Sequence, residues 1–360
     1  MNWLFKELVL IALDREKNLS RKPTVQEWRE AYFMAEKQAL VGLMFSAVER
    51  INEDNNTAKP SLDLLYQWMG ESIQIENQNK KMNTASEQLY EIFKNKGARS
   101  CVLKGQGIAA LYNHPLRRQS GDVDLWVEGG RKRVLGLLKD NFPGIGMVVL
   151  HHVDVRIIDG VESEIHFIPV YACNPMLHYK LQRYFKKQAD EQFAHYDEKY
   201  GFSYPTLKFN AVYILAHIYM HFLYEGVGLR QIIDYYYVLI NLKSDEKEQV
   251  SADIKKAGLI KFAGAVMYVL TSICQIGEKH IIAAIDIKRG TLLLEEILRS
   301  GNFGKYDEQL KNRDERELIR FNLVALKRQL RFIRYYPLDI ISIPFFKIWH
   351  WGWRKLNGFL

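Results

Sequence analysis

The spacing of apolar residues changes in the middle of this 360-residue chain, and that change restricts the folds open to it. Up to Gly97 and again after Val170, apolar residues recur three or four positions apart, as they do in helices. Between these points, short apolar runs are separated by turn residues, which is typical of strands. The pattern predicts an α+β fold, with a mixed β-sheet core between a helical N-terminal segment and a large helical C-terminal domain.

The elements of the predicted sheet have separate signals. Residues 101–103 and 123–127 are compact apolar runs that predict strands. The runs 151–158 and 161–168 flank Asp159-Gly160, which is a strong signal for a hairpin turn. The remaining predicted elements of this region are a short helix at 107–112, a helix near 131–139 and a turn at Pro143-Gly144.

Helix-start signals divide the rest of the chain. Thr24 followed by Glu27 has the pattern of a capping box, and Ser61 is placed to cap a long helix that ends at Gly97. The segment 207–224 is apolar almost all round, which predicts a buried helix. We expect three units: residues 1–96 (helical), 97–170 (α/β core) and 171–360 (helical, with a basic and aromatic tail).

Composition excludes several classes of protein. Charged residues make up 26% of the chain and hydrophobic residues 48%, as in ordinary globular proteins. Cys101, Cys173 and Cys274 form no CxxC pair, so neither a zinc ribbon nor a disulfide framework is expected, and a cytoplasmic location fits. The apolar run 340–346 is much shorter than the roughly 20 residues that span a bilayer, so no integral membrane segment is expected. No export signal is evident either.

Two carboxylates carry the clearest chemical signal. Asp122 and Asp124 are separated by one residue on a predicted strand, so their side chains leave the same face. Such a pair can bind Mg²⁺ or Mn²⁺, which prefer oxygen ligands. Glu164 on the second hairpin strand is the candidate third carboxylate, and Glu162 on the same face is its rival. In isolation, an Asp-x-Asp motif more often marks a solvated strand edge.

The wider context resembles a known family. The matching residues are Leu103-Lys104-Gly105, Tyr112, Arg118, Gly121-Asp122-Val123-Asp124-Leu125 and Glu164-Ile165-His166. This pattern is similar to that of bacterial proteins described as uncharacterised nucleotidyltransferases, in the DNA polymerase β-like superfamily. The likeness extends to the segment 228–234 and the patch 301–304, so it covers most of the chain.

The resemblance implies a function and roles for the acidic residues. Asp122 and Asp124 would bind the catalytic Mg²⁺ or Mn²⁺, with Glu164 as third ligand and candidate general base. The reaction would transfer a nucleoside monophosphate from an NTP, such as ATP, to an acceptor hydroxyl on a small molecule, a protein or RNA. The alternative is a non-catalytic module of the same fold that binds nucleotide without turnover.

Residues next to the motif are candidates for binding the nucleotide. They are Lys104, Gly105, Arg118 and Gly121, because cations and glycine-turn amides can meet phosphate oxygens. Lys104 and Arg118 could equally pair with carboxylates. The chain also departs from the common Gly-Ser pattern of the family by having Gln106 after Gly105.

Further polar residues are candidates for contacts with the acceptor or nucleotide. They are His166, Arg230 and Asp234, although Arg230 and Asp234 are one helical turn apart and would more often form an ion pair. His217 and His221 are also one turn apart. Partly buried histidines hydrogen-bonded between helices are a more frequent outcome for such a pair than a metal site.

The tail carries most of the excess positive charge. Residues 311–360 include eleven Lys or Arg against four Asp or Glu, with aromatic residues interleaved. Such a surface could bind anionic lipid or RNA as a peripheral partner. The alternative is a helix that packs its aromatic residues on the protein and leaves its arginines in solvent.

Overall fold

The computed structural model describes residues 2–51, 59–139, 142, 145–158, 160–307 and 318–359. The predicted α+β class is confirmed, because helices precede and follow a five-stranded mixed sheet. The predicted turn residues Pro143, Gly144 and Asp159 lie outside the described residues. None of the helices within the described ranges combines the length and hydropathy needed to cross a membrane.

The helices before the last strand of the sheet are α1 (Trp3–Ala12), α2 (Val25–Lys37), α3 (Val41–Arg50), α4 (Leu62–Asn95), α5 (Gly105–Ala109) and α6 (Gly130–Lys139). Those after it are α7 (Pro175–Ala194), α8 (Leu207–Tyr224), α9 (Leu229–Asn241), α10 (Ser244–Ala257), α11 (Ile260–Cys274), α12 (Ile287–Ser300), α13 (Leu318–Leu330) and α14 (Pro337–Leu356). The strands of the sheet are β1 (Ser100–Leu103), β2 (Val123–Val127), β3 (Ile145–Val148), β4 (His152–Ile158) and β5 (Val161–His166). A separate two-stranded pair consists of β6 (Tyr196–Asp197) and β7 (Phe202–Ser203).

The sheet has the strand order β1-β2-β5-β4-β3. β2 and β5 are parallel neighbours, and the other pairs are antiparallel. Because side chains alternate between the two faces, Leu125, Val153 and Ile165 enter a core shared with α4 and α6, and the residues between them face the other way. That second face carries the acidic residues.

The helical core joins both ends of the chain. Buried side chains of α1 to α3, such as Phe5 and Trp28, belong to the same apolar cluster as those of α8 to α11, such as Phe222 and Phe262. α8 is buried nearly all round, as predicted. The boundaries at 96 and 170 remain a prediction.

Local signals account for several element ends. The predicted capping box is present: the Thr24 side chain accepts from the Glu27 amide, and the Glu27 carboxylate accepts from the Thr24 amide. Ser61 is the N-cap residue of α4, but its side chain makes no capping bond. The helix predicted at 107–112 instead runs from Gly105 to Ala109. It begins earlier than predicted because Lys104 adopts φ +48° and turns the chain at the end of β1.

Candidate active site

Three carboxylates lie side by side on neighbouring strands. Asp124 on β2 is in register with Glu164 on β5, and Glu164 is in register with Asp154 on β4. Residues in register share a face of the sheet, so Asp124, Glu164 and Asp154 form a row, which we call the carboxylate row. Asp122 lies two residues before Asp124 and therefore on the same side. Sequence analysis had missed Asp154, although an acid between Val153 and Val155 was its signal.

Glu164, rather than its rival Glu162, joins the Asp124 cluster. One oxygen each of Asp124 and Glu164 and a ring nitrogen of His166 lie within 4.8 Å of one another. Glu162 is largely exposed, and its nearest ionic partner is Arg156 at 3.9 Å. The same limit of 4.8 Å groups Glu164 with Asp154 and His152, so Glu164 is common to both clusters.

Two cations neutralise the buried carboxylate of Asp124. Its Oδ1 atom lies 3.0 Å from Lys104 Nζ and 2.9 Å from His166 Nε2, which is also 3.1 Å from Glu164 Oε2. Asp124 and His166 are both almost completely buried. Burial alone would lower the pKa of His166, but hydrogen bonds to the two carboxylates raise it to about 9. A buried charge of this kind requires partners, and these residues supply them.

The acids have different electrostatic surroundings. Burial acts to raise the pKa of Glu164, but the hydrogen bond from His166 and the charges of His166 and Lys104 lower it to about 2. The pKa of Asp122 is raised, first by the negative charge of Asp124 and then by burial. Asp122 and Asp124 therefore repel each other, and a cation bound between them would relieve that repulsion.

An open cleft of about 570 Å³ borders the carboxylate row. Its lining includes Asp122, Asp154 and Glu164. Small-molecule and cofactor sites occupy roughly 300–1,000 Å³, so this cleft has the size of a nucleotide site. A smaller cavity of about 40 Å³ also includes Asp122 and Asp124 in its lining, together with residues of α8 and α9. Asp122 thus borders both cavities, whereas Asp124 borders the smaller one.

Arg118 and Asp234 form a buried ion pair. Arg118 donates from Nε and Nη2 to the two carboxylate oxygens of Asp234, both at 2.7 Å, and the Tyr112 hydroxyl donates to the same carboxylate at 2.7 Å. Carboxylate pairing, the alternative considered for Arg118, is therefore the arrangement present. The prediction that Arg230 forms an ion pair with Asp234 is wrong for the described residues. The carboxylate of Asp234 instead pairs with Arg118, which lies 116 residues earlier in the sequence.

Arg230 is a buried cation with no carboxylate in ion-pair range among the described residues. Its Nη1 atom donates to the Gln119 carbonyl at 2.7 Å, and its guanidinium carbon lies 5.3 Å from the centre of the Phe303 ring. Its Nε atom has no hydrogen-bond partner among the described residues. Burial and the charge of Arg118 lower the pKa of Arg230. Arg230 lines the smaller cavity with Lys104, so both cations border the space next to the aspartates.

The glycine turn and Gln106 have different surroundings. Gly105 has φ +27° and lies with Gly121 in the lining of the smaller cavity. The Gln106 side chain is buried, donates to the Asn79 carbonyl at 3.3 Å and accepts from the Ser120 hydroxyl at 3.0 Å. Gln106 therefore links α4 to the segment before Asp122.

The histidine pair on α8 is part of a hydrogen-bonded chain. His217 Nε2 lies 3.0 Å from Lys104 Nζ and 3.0 Å from His221 Nε2, and His221 Nδ1 lies 3.0 Å from Glu225. These contacts lie within α8 and between α8 and Lys104 at the end of β1, so the pair is hydrogen-bonded as sequence analysis preferred, but not between two helices. His152, which sequence analysis did not single out, lies 3.2 Å from Glu164.

Comparison with known proteins identifies the family. No match was found among curated proteins or among solved structures. The family described as "uncharacterised nucleotidyltransferase" matches residues 24–274, which run from the start of α2 to the end of α11. The match includes all five strands of the sheet, the acidic residues and the α9 residues that face them, and it covers more than half of the chain. On this evidence the chain belongs to the family of uncharacterised nucleotidyltransferases.

Proposed function

We propose that this protein transfers a nucleoside monophosphate from an NTP to an acceptor hydroxyl, with the carboxylate row and Asp122 as the reactive centre. Membership of the family supports nucleotidyltransferase activity in general. The observation that carries the specific proposal is the register of Asp124 with Glu164, which sets two acids beside each other next to a nucleotide-sized cleft.

The donor atoms suit a divalent cation. Asp122, Asp124 and Glu164 offer carboxylate oxygens, the ligands that Mg²⁺ and Mn²⁺ prefer. The raised pKa of Asp122 reflects repulsion that such a cation would remove. When bound, the cation supplies a Lewis acid that neutralises phosphate charge.

In the proposed reaction the acceptor oxygen forms a bond with the α-phosphorus of the NTP. The bond from that phosphorus to the bridging oxygen breaks, and pyrophosphate leaves with the electron pair. The acceptor proton passes to a carboxylate or to solvent, and Glu164 is the candidate carboxylate because it borders the cleft. His166 fixes the orientation of Asp124 through its hydrogen bond and is a positioning residue.

The cations next to the aspartates are proposed to bind the phosphates. Arg230 is the stronger candidate, because its guanidinium is buried and free of a carboxylate partner in the described ranges. Lys104 would contribute charge in the same cavity, and Gly105 and Gly121 would let phosphate oxygens approach the backbone there. Arg118 is bound by Asp234, so its proposed contribution is to hold the segment before Asp122 in place.

Label transfer from α-³²P-labelled NTPs tests the proposal. The protein is incubated with each NTP, Mg²⁺ or Mn²⁺, and cell extract as a source of acceptors, and nucleotide binding is measured in parallel. Glu164→Gln should abolish transfer, whereas Glu162→Gln should retain it, because Glu162 lines the same cleft but is largely exposed and lies outside the Asp124 cluster. Equal loss in both variants would contradict the assignment of Glu164. Metal-dependent binding of NTP with no transfer by the wild type would favour a non-catalytic nucleotide-binding module.

A further inference from the structure

An apolar stripe runs along the outer side of α14. Its members are spaced three, four or seven residues apart, so they lie on one side of the helix. Each is more than half exposed. We call the following set the α14 stripe: Leu338, Ile341, Phe345, Ile348, Trp349 and Leu356. Isolated exposed apolar residues are ordinary, but a continuous row of this length marks an interaction surface.

The opposite side of α14 is fixed to the protein. Ile340 and Ile343 are buried in the helical core. Phe346 stacks on Tyr171 with ring centres 5.3 Å apart, and the guanidinium of Arg131 lies 4.2 Å from the Trp353 ring. α14 therefore has two apolar faces. The inner face packs on the protein, and this packing leaves the α14 stripe on the outer face.

Exposed apolar and basic residues also occur in the segment that joins α13 to α14. Leu330 and Ile333 are exposed, and Arg331 and Arg334 lie beside them in the sequence and are exposed too. From residue 324 to residue 359 the chain has seven Lys or Arg and one acid, Asp339. Arg328 is buried in an ion pair with Glu296 at 2.7 Å, and Arg331 Nη2 lies 3.5 Å from the same carboxylate. Arg334 and Lys355 are exposed, and the net charge of residues 324–359 is strongly positive.

We propose that the α14 stripe and the exposed basic residues Arg334 and Lys355 bind an anionic membrane surface, with α14 lying in the plane of the interface. A helix with one apolar face, tryptophans and flanking basic residues has the features of an interfacial amphipathic helix. α14 itself does not qualify as a membrane-spanning helix, which is consistent with an in-plane position. Anionic lipid headgroups complement Arg334 and Lys355, and acyl chains accommodate the aliphatic members of the stripe.

Charge and side-chain chemistry favour lipid over the other occupants. A second copy of the chain packed on the same face would bring two sets of basic residues together, which costs energy. Single-stranded RNA would require aromatic platforms on which bases stack. Leu338, Ile341, Ile348 and Leu356 make up most of the stripe, and aliphatic side chains provide no such platform.

Vesicle co-sedimentation of the full-length protein tests the proposal. The vesicles are phosphatidylcholine alone or phosphatidylcholine with about a third phosphatidylglycerol, at low salt and at about 1 M salt, where the Debye length falls to about 3 Å. Phe345→Ser/Ile348→Ser removes two members of the stripe, and Arg334→Glu/Lys355→Glu reverses the charge at two exposed positions. Met176→Ser/Ile287→Ser is the matched control, because both residues are exposed apolar side chains on other helices.

We expect binding to the anionic vesicles that falls with salt, and about tenfold or greater weakening in both test variants. The control variant should bind like the wild type, and all variants should show the far-ultraviolet circular dichroism of the folded protein. Absence of binding to anionic vesicles would overturn the proposal, as would equal binding by the Phe345→Ser/Ile348→Ser variant. Self-association in sedimentation velocity that the same variant abolishes would assign the surface to a second copy instead. Binding to an oligo(U) strand without binding to vesicles would assign it to RNA.

Discussion

At the scale of single residues, the site depends on charges that are buried and paired. Asp124 is held by Lys104 and His166, and Asp234 by Arg118 and Tyr112. Removing one partner of a buried pair leaves the other charge uncompensated, which costs far more than the pair itself contributes. Arg230 differs from these residues, because no carboxylate in the described part of the chain pairs with it.

Asp234→Asn should lower the free energy of unfolding by about 3–5 kcal/mol, because it leaves the buried Arg118 guanidinium without its counter-charge. Urea unfolding at neutral pH measures this change. The control is Asp190→Asn, since Asp190 is 86% exposed where it pairs with Arg99, and surface pairs contribute about 0–1 kcal/mol. Equal midpoints for the two variants would contradict the structural role given to Asp234.

Arg230→Met should separate binding from stability. We expect NTP binding to weaken by tenfold or more, because a hydrogen bond to a charged group contributes about 1.5–3 kcal/mol. The free energy of unfolding should fall by no more than about 1.5 kcal/mol, since the hydrogen bond to the Gln119 carbonyl and the contact with the Phe303 ring are lost but a buried charge without a carboxylate partner is removed with them. Titration calorimetry and urea unfolding measure the two effects. Unchanged nucleotide affinity with severe destabilisation would contradict the phosphate-binding role.

His217 makes stability depend on pH. Burial and the positive charge of Lys104 hold its pKa well below its usual value of 6.5, and His221, His166 and Arg230 act in the same direction. Below about pH 6.5 the unfolded chain therefore takes up a proton that the folded protein does not. The free energy of unfolding should fall by about 1.4 kcal/mol for each further pH unit because of this group.

Urea unfolding of His217→Gln from about pH 7 down to about pH 5 checks this contribution. The glutamine can still accept a hydrogen bond from Lys104 but takes up no proton, so the variant should lose less stability than the wild type over this range. His114→Gln, at an exposed histidine, should follow the wild type. Parallel pH curves for all three proteins would show that His217 does not contribute.

At the scale of elements, local signals predicted most strands and helix caps, but the sequence did not predict the register that completes the carboxylate row. A regular hairpin with a two-residue turn at 159–160 pairs Ile158 with Val161 and would set Val155 opposite Glu164. The register shifts between Val155 and Ile158, so Asp154 faces Glu164 instead. Such a bulge reverses which side chains share a face, and that is why Asp154 was missed.

Two helix glycines that look alike in the sequence should respond differently to alanine. In α11, a Cβ atom on Gly264 would lie 2.4 Å from the Ala284 carbonyl oxygen, so Gly264→Ala forces backbone to move and should cost about 1–3 kcal/mol. In α6, a Cβ atom on Gly136 would meet nothing within 4 Å. Gly136→Ala should therefore stabilise the protein by about 0.5–1 kcal/mol. Thermal unfolding that moves in the same direction for both variants would contradict this packing.

At the scale of the whole molecule, residues far apart in sequence build one site. β1 supplies Lys104 at its end, the carboxylate row comes from β2, β4 and β5, and α9 supplies Arg230 and Asp234. Sequence analysis named these residues from local motifs and from the family resemblance. It mispaired Arg230 with Asp234, because one-turn spacing is a local rule, whereas the Arg118 pair depends on how α9 packs against the sheet.

The most direct test of the central claim is metal-dependent label transfer from α-³²P-NTP by Asp124→Asn, compared with the wild type and with Asp190→Asn. Asp124 lies at the centre of the site, whereas Asp190 is an exposed aspartate that pairs with Arg99 outside it. The account predicts transfer by the wild type and by Asp190→Asn, and none by a folded Asp124→Asn. Undiminished transfer by Asp124→Asn would contradict the assignment of the carboxylate row as the nucleotidyl-transfer site.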